Sequence, residues 1–255
     1  MLKMPVLFIG HGSPMNIVLN NTYTDSLKAL GESIPRPKSV CVFSAHWQTS
    51  GTLIHCEDTA KQIYDFYGFP DSLYKIKYEP EADSETAVKA AGRAGLTCDG
   101  SWGNDHSAWS VLKHMYPDGG IPVFYISSDM TADYHTHYEI SSRLKELRNE
   151  GVLFIGSGNI VHNLRDADFH NMDAEPDERG VLFDGQIEKA LLEHKHNIIK
   201  DPMSLGSHVR YSIPTRDHYI PFVHACGLTD ADDNISFPCS IFQNRSVSMR
   251  SVLFD

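Results

Sequence analysis

The sequence predicts an α/β fold: a mostly parallel or mixed central sheet covered by helices on both faces. Three observations carry this. Short apolar runs rich in Val, Ile and Phe recur at 6–9, 40–43, 123–126 and 152–155, as expected of strands buried on both faces. Helical patterns fall between these runs, and strands alternating with helices build parallel sheets. No internal repeat, low-complexity tract or long Pro/Gly/Ser linker interrupts the 255 residues, so residues 1–255 are expected to form one domain.

The elements follow in order. After the strand at 6–9, residues 24–30 place Leu27 and Leu30 at helical spacing. The strand at 40–43 is followed by an Ala-rich helix over 84–94. A further helix over 107–115 gathers Val111, Leu112 and Met115. Beyond the strand at 123–126, a helix over 134–148 stops at "NEG", near Gly151. The strand at 152–155 precedes the longest helical pattern, 179–199, with Leu182, Ile187, Leu191 and Leu192 as its apolar members. "GFPDSLYKIKYEPEADSE" and "DADFHNMDAEPDERG" read as loops over a site.

Composition excludes several functions. A formal charge of −11 without any Lys/Arg block argues against a nucleic-acid or anionic-membrane partner. Five cysteines without a CxxC pair make a disulfide framework or a Cys-based zinc site unexpected. The N-terminus does not read as a signal peptide. No apolar run approaches the roughly 18 residues of a membrane span, and the cytoplasm is the expected compartment.

The 14 histidines direct attention to one rim. "PVLFIGHGSP", "VCVFSAHW" and "VLFIGSGNIVH" each run an apolar strand into or just before a histidine: His11, His46 and His162. Ligands in open α/β sheets bind beyond the carboxyl ends of the strands, so the three are expected to share a crevice. "SWGNDHSAWSVLKHMYP" sets His106 at a helix start, and "IPTRDHYIPFVHACG" sets Asp217 and His218 before an apolar helix. Asp217 reads either as that helix's N-cap or as the metal ligand in place of His218; with His218 as the ligand, Asp217→Asn is expected to be nearly silent. His135 and His137, and likewise His194 and His196, sit two apart on helical patterns and read as solvated. His55 reads as a mid-strand or hairpin residue, and His114, His170, His208 and His224 have no evident partner. A nitrogen-rich set of this kind suits Zn²⁺ or Fe²⁺.

Six segments, in order, carry a family likeness: "GHGSPMN", "SAHW", "DFYGFP", "WGNDHSAW…MYP", "GSGNIVHNLR" and "PTRDHYIPF". They resemble the motifs of the 4,5-DOPA extradiol dioxygenase family, among the class III extradiol ring-cleavage dioxygenases. The C-terminal "SVSMRSVLF" resembles that family's closing strand. The resemblance implies a single ring-cleavage domain with a mononuclear metal site, Fe(II) as the active ion and Zn²⁺ often in its place. It implies insertion of both atoms of O₂ into a catecholic, DOPA-like substrate, with ring opening to a semialdehyde. By resemblance His11, His46 and His218 are metal ligands. His162 is a fourth ligand or an acid–base residue, and His106 is the substrate-side histidine. Ring opening needs a group that takes a phenolic proton and returns one, which an imidazole titrating near neutrality can do. Two positions depart from the family pattern: Asp217 replaces its usual Glu, and Tyr64 a common His. Two other readings use the same residues: a zinc hydrolase that activates water, and a non-catalytic scaffold.

Overall fold

The computed structural model describes residues 3–255. Ten strands form: β1 Val6–Gly10, β2 Ser39–Thr49, β3 Leu53–His55, β4 Thr97–Asp99, β5 Val123–Asp129, β6 Val152–Gly158, β7 Ile235–Cys239, β8 Phe242–Gln243, β9 Val247–Ser248 and β10 Ser251–Phe254. Eight join one sheet in the order β4-β3-β5-β2-β6-β1-β10-β7, and β8 and β9 make a small separate ribbon. The inner four, β5, β2, β6 and β1, run parallel. Antiparallel pairings of β3 with β5, β1 with β10 and β10 with β7 make the sheet mixed. The four apolar runs are these inner strands; the outer ones are too short or too polar to show as apolar runs.

The helices are α1 Thr22–Ser33, α2 Ser84–Ala94, α3 His106–Met115, α4 Tyr134–Ser142, α5 Glu178–Leu192, α6 His196–Lys200, α7 Val209–Ser212 and α8 Ile220–Gly227. Successive strand residues point to opposite faces, and each face has its own core. Val6 and Phe8 pack with Phe183 and Ile187 of α5 and Phe222 of α8. Leu7 and Ile9 pack with Leu27 of α1 and Trp109 and Leu112 of α3. Each such buried side chain contributes roughly 1.5–3 kcal/mol.

Two predicted helices are shorter than their patterns. α4 stops at Ser142 and continues as a 3-10 turn over Lys145–Glu150. That tighter turn carries the buried Arg148, which donates to both carboxylate oxygens of Asp233 (2.7 and 3.0 Å) and to the Met4 and Leu228 carbonyls. The 179–199 pattern breaks at His194, a left-handed residue (φ 52°) between α5 and α6.

Two expectations about side chains are overturned. Cys56 and Cys98 form a disulfide, with Cα atoms 5.4 Å apart, while Cys41, Cys226 and Cys239 are free and buried. The bond ties the end of β3 to β4, strands 42 residues apart in sequence; that long separation hid the pair. His137 is buried rather than solvated. Its Nε2 lies 3.0 Å from the Asp129 carbonyl and must donate there, so its Nδ1 accepts from His224 Nε2, 3.1 Å away.

Burial pushes His137 down to about 4, against about 6.5 for an unfolded histidine. Between those values the unfolded chain binds more protons, so this stabilisation is present above pH 6.5 and is lost as pH falls towards 4. At pH 5 the loss is about 2 kcal/mol. Urea unfolding at pH 7 and pH 5 is expected to show that much more acid sensitivity in the parent than in His137→Gln. Equal sensitivity would show that His137 does not titrate as described.

Candidate active site

The carboxyl ends of the inner strands carry the site. His11 follows β1, and its N–H donates to the Gly158 carbonyl at the end of β6 (3.1 Å). His46 sits where β2 leaves its register: pairing with β6 ends at Ser44, and pairing with β5 shifts between Phe43 and Gln48. Ser44 Oγ accepts the His46 and Trp47 N–H groups (3.0 and 3.2 Å) and donates to Asp105 Oδ2 (2.5 Å). Asp105 is also the N-cap of α3, accepting the Ser107 N–H. One carboxylate thus holds both the irregular turn of β2 and the helix that begins at His106.

His218 reaches the rim because β6 ends in glycines. A Cβ on Gly158 would lie 2.1 Å from the His218 carbonyl oxygen, and one on Gly156 would lie 2.2 Å from that of Pro221. Without those side chains the start of α8 rests directly on the strand, and Asn159 N–H donates to the His218 carbonyl (3.0 Å). Gly10 has a similar role, its Cα packed on the backbone of Met249. That close approach is of chain against chain.

Nitrogen atoms of His11, His46 and His218 lie within 4.8 Å of one another, and their hydrogen bonds fix which nitrogens face inward. Ser157 Oγ donates its only proton to the Ser107 carbonyl (2.7 Å), so at 3.1 Å it must accept from His11 Nδ1. His46 Nδ1 donates to Asp65 Oδ2 (2.9 Å), and His218 Nδ1 donates to Asp217 Oδ2. All three Nε2 atoms therefore bear bare lone pairs. His11 Nε2 and His46 Nε2 stand 3.2 Å apart, a repulsive contact unless a cation or an extra proton lies between them. Outward Nδ1–H groups held by carboxylate or hydroxyl, with inward Nε2, is how metal-ligating imidazoles are oriented. The donor set fits a divalent metal ion.

Charge is arranged to match. Burial and the neighbouring His46 and His218 push His11 well below the usual histidine range. Burial lowers His218 and His106, only partly offset by Asp217 and Asp65. Burial also lowers His46, but its bond to Asp65 together with the charges of Asp105, Asp65 and Asp217 outweighs that and raises it. Burial opposes ionisation of Asp65, yet bonds from His106 and His46 hold its carboxyl well below the usual range. The same balance, with His218 as donor, holds Asp217 ionised.

His106 faces the cluster edge-on, its ring centroid 4.3 Å from that of His46. Its Nδ1 and backbone N–H both donate to Asp65 (2.9 Å each), which leaves Nε2 free. His162 lies flat on His218, centroids 3.5 Å apart and planes 13° apart. Rings stacked in this way cannot both aim in-plane lone pairs at one point between them. Burial, then the adjacent His218, pushes His162 well below the usual range. All five histidines line a cavity of about 490 Å³, together with Asp65, Phe66, Phe69, Leu164 and Phe169.

The structure thus brings together His11, His46, His106, His162 and His218. It moves Asp217 from the expected capping role: the residue before α8 is Tyr219, without a side-chain cap, and Asp217 instead orients His218. His55 and His224 are buried elsewhere, and His114 bonds the Asn16 carbonyl beside another groove. Tyr64 does not line the cavity; its hydroxyl donates to the Ile76 carbonyl and its ring packs on Phe66. Sequence reasoning missed Asp65, Asp105 and Ser157. Asp105 carried a signal, an Asp directly before a helix start. Asp65 opens the quoted "DFYGFP", but nothing local showed two histidines converging on it.

The family described as the catalytic LigB subunit of aromatic ring-opening dioxygenase matches residues 5–254. The chain belongs to this family and is an extradiol ring-cleavage dioxygenase. It is 37% identical to a 4,5-DOPA dioxygenase extradiol of Escherichia coli K12, covering 98% of this chain and 94% of that one. It is 31% identical to a 4,5-DOPA dioxygenase extradiol of Beta vulgaris, covering 86% and 85%. The crystal structure of an uncharacterised Escherichia coli K12 protein superposes with a TM-score of 0.85 at 32% identity, over 99% of this chain and 100% of that one. Among the described residues no helix is long and apolar enough to cross a membrane.

Proposed function

We propose that this single domain is a metal-dependent dioxygenase that inserts both atoms of O₂ into a catechol and opens the ring to a semialdehyde. The observation that carries the reading is the convergence of three Nε2 lone pairs whose Nδ1 atoms are already committed to Ser157, Asp65 and Asp217. His11, His46 and His218 would hold the metal, Fe(II) for activity, with Zn²⁺ able to take the same place. A bound Fe(II) supplies the redox and Lewis-acid chemistry that joins a catecholate to O₂. Neutral imidazole ligands leave the ion its full charge, which favours an anionic catecholate.

The chain's own residues handle protons and position. His162, kept neutral by burial and stacked against His218, is the acid–base group that takes a phenolic proton and later returns one. Its stacked geometry favours this role over that of a fourth ligand. His106 presents Nε2 to the substrate, since Nδ1 is committed to Asp65. Phe66 and Phe69 wall the ring side of the cavity against water. The relatives named for DOPA point to a catechol ring as the reacting group.

The test is anaerobic loading with Fe(II), then a panel of catechols followed by O₂ uptake and the yellow ring-opened product. An Fe(II)-loaded protein that consumes no O₂ with any catechol of the panel would overturn this account of substrate and metal. The Asp217–His218 bond revises the expectation for Asp217: Asp217→Asn is expected to weaken metal binding by about 10-fold and Asp217→Ala by up to about 100-fold. Metal titration against a chelator measures both. Parent-like affinity in Asp217→Ala would remove Asp217 from the orientation of His218.

A further inference from the structure

A second carboxylate lies beneath the histidines. Asp105 is wholly buried, as are Ser44, Ser107 and Ser157 around it, and it does not line the cavity. Four donors converge on it. Its Oδ2 accepts from Ser44 Oγ (2.5 Å) and Trp102 Nε1 (2.8 Å), and its Oδ1 from the Ser107 N–H (3.0 Å) and Oγ (2.7 Å). Capping α3 does not require this arrangement, because Ser or Asn caps a helix as well as Asp does. Burying a carboxylate is costly. What it alone supplies here is acceptance from two donors at each of two oxygens.

Three of the five site histidines are reached from this one group. Ser44, whose proton is held by Asp105, accepts the His46 N–H (3.0 Å) where the pairing of β2 with β6 ends. His106 lies between Asp105 and Ser107 in the chain, and the carboxylate ties those two flanking residues together. The Ser107 carbonyl accepts from Ser157 Oγ (2.7 Å), which in turn accepts from His11 Nδ1 (3.1 Å). A shift of Asp105 therefore displaces imidazoles from three separate parts of the chain together.

We propose that Asp105 is a positioning residue for the reaction: from outside the cavity it registers His11 and His46 against the substrate-side His106. The inference rests on the metal centre proposed above. Losing an outer partner that touches a ligand lowers metal affinity about 10- to 100-fold. Asp105 stands one bond further out, so a loss of about three- to ten-fold is expected. Misplaced reacting groups should lower kcat about 10- to 100-fold. KM should stay within about three-fold of the parent, because Asp105 does not line the cavity.

The experiment compares Asp105→Asn, Ser44→Ala and their double variant with the parent. In Asp105→Asn either amide orientation sets an NH₂ against a donor that cannot reverse, the Trp102 or the Ser107 N–H. Ser44→Ala cuts only the branch to His46 and keeps the carboxylate. Asp233→Asn, which alters the buried partner of Arg148 beside Met4 and so at the other end of β1 from His11, controls for lost stability. Ligand geometry is read from the absorption spectrum of the Co²⁺-loaded protein and affinity from Zn²⁺ competition with a chelator. O₂ uptake with catechol at matched iron content gives kcat and KM. Both site variants are expected to change the Co²⁺ spectrum and weaken Zn²⁺ binding. The double variant should bind Zn²⁺ about as well as Asp105→Asn alone, since the two changes act through one path. Asp233→Asn should unfold at lower urea yet match the parent in every other readout. A parent-like Co²⁺ spectrum and Zn²⁺ affinity in Asp105→Asn would overturn the proposal. Equal changes in Asp233→Asn would do the same, by making the effect one of stability. Should Asp105→Asn fail to fold, Ser44→Ala decides by the same two readouts. Should the parent consume no catechol, the dioxygenase reading fails, and the Co²⁺ and Zn²⁺ measurements still decide the role of Asp105.

Discussion

In His46→Ala the metal content is expected to fall below roughly a tenth of the parent's, because losing a direct ligand should exceed the 10- to 100-fold effect of losing an outer partner. Turnover should fall with it. The change removes one of three converging Nε2 atoms and also one of the two imidazoles that hold Asp65 ionised. His11→Ala should behave alike, as it removes the nitrogen 3.2 Å from His46 Nε2. Metal analysis after dialysis, with circular dichroism to verify folding, measures the effect. Full metal retention in both folded variants would place the centre elsewhere.

His106→Ala and His162→Ala are expected to separate binding from chemistry. Both should keep their metal, and each should lose about 10²- to 10⁴-fold in kcat, the usual worth of a positioned acid–base group. His106 is turned towards Asp65 through Nδ1 and its own N–H, and His162 lies flat on His218. Neither residue belongs to the His11–His46–His218 set whose ligand atoms lie within 4.8 Å of one another. Single-turnover O₂ uptake with matched iron content isolates the chemical step. Loss of iron from either variant would move that residue into the ligand set.

Much of this was legible from local pattern. Runs of β-branched and aromatic residues identified the four inner strands, and histidines at strand ends or a helix start identified the rim. Each is encoded within a few neighbouring residues. What escaped depends on distance. Cys56 and Cys98, His137 and His224, and Asp65 with its two histidines meet only after the sheet has formed. The helix ends were misjudged for a similar reason. Arg148 continues an acceptable helical pattern, but its buried bonds to Asp233 and the Met4 and Leu228 carbonyls require a different turn. Asp217 illustrates competition between two local rules, in which an adjacent imidazole took the carboxylate that a helix start would otherwise have used.

The order of the strands also governs how copies of the molecule can meet. A sheet edge with free N–H and C=O groups is a template on which another chain can add a strand. Here one border is β4, three residues long and tethered to its neighbour by Cys56–Cys98. The other is β7, where Pro238 cannot donate a hydrogen bond. The long apolar strands most prone to cross-β stacking lie between them, paired on both sides. Both borders of the large sheet therefore disfavour edge-to-edge growth.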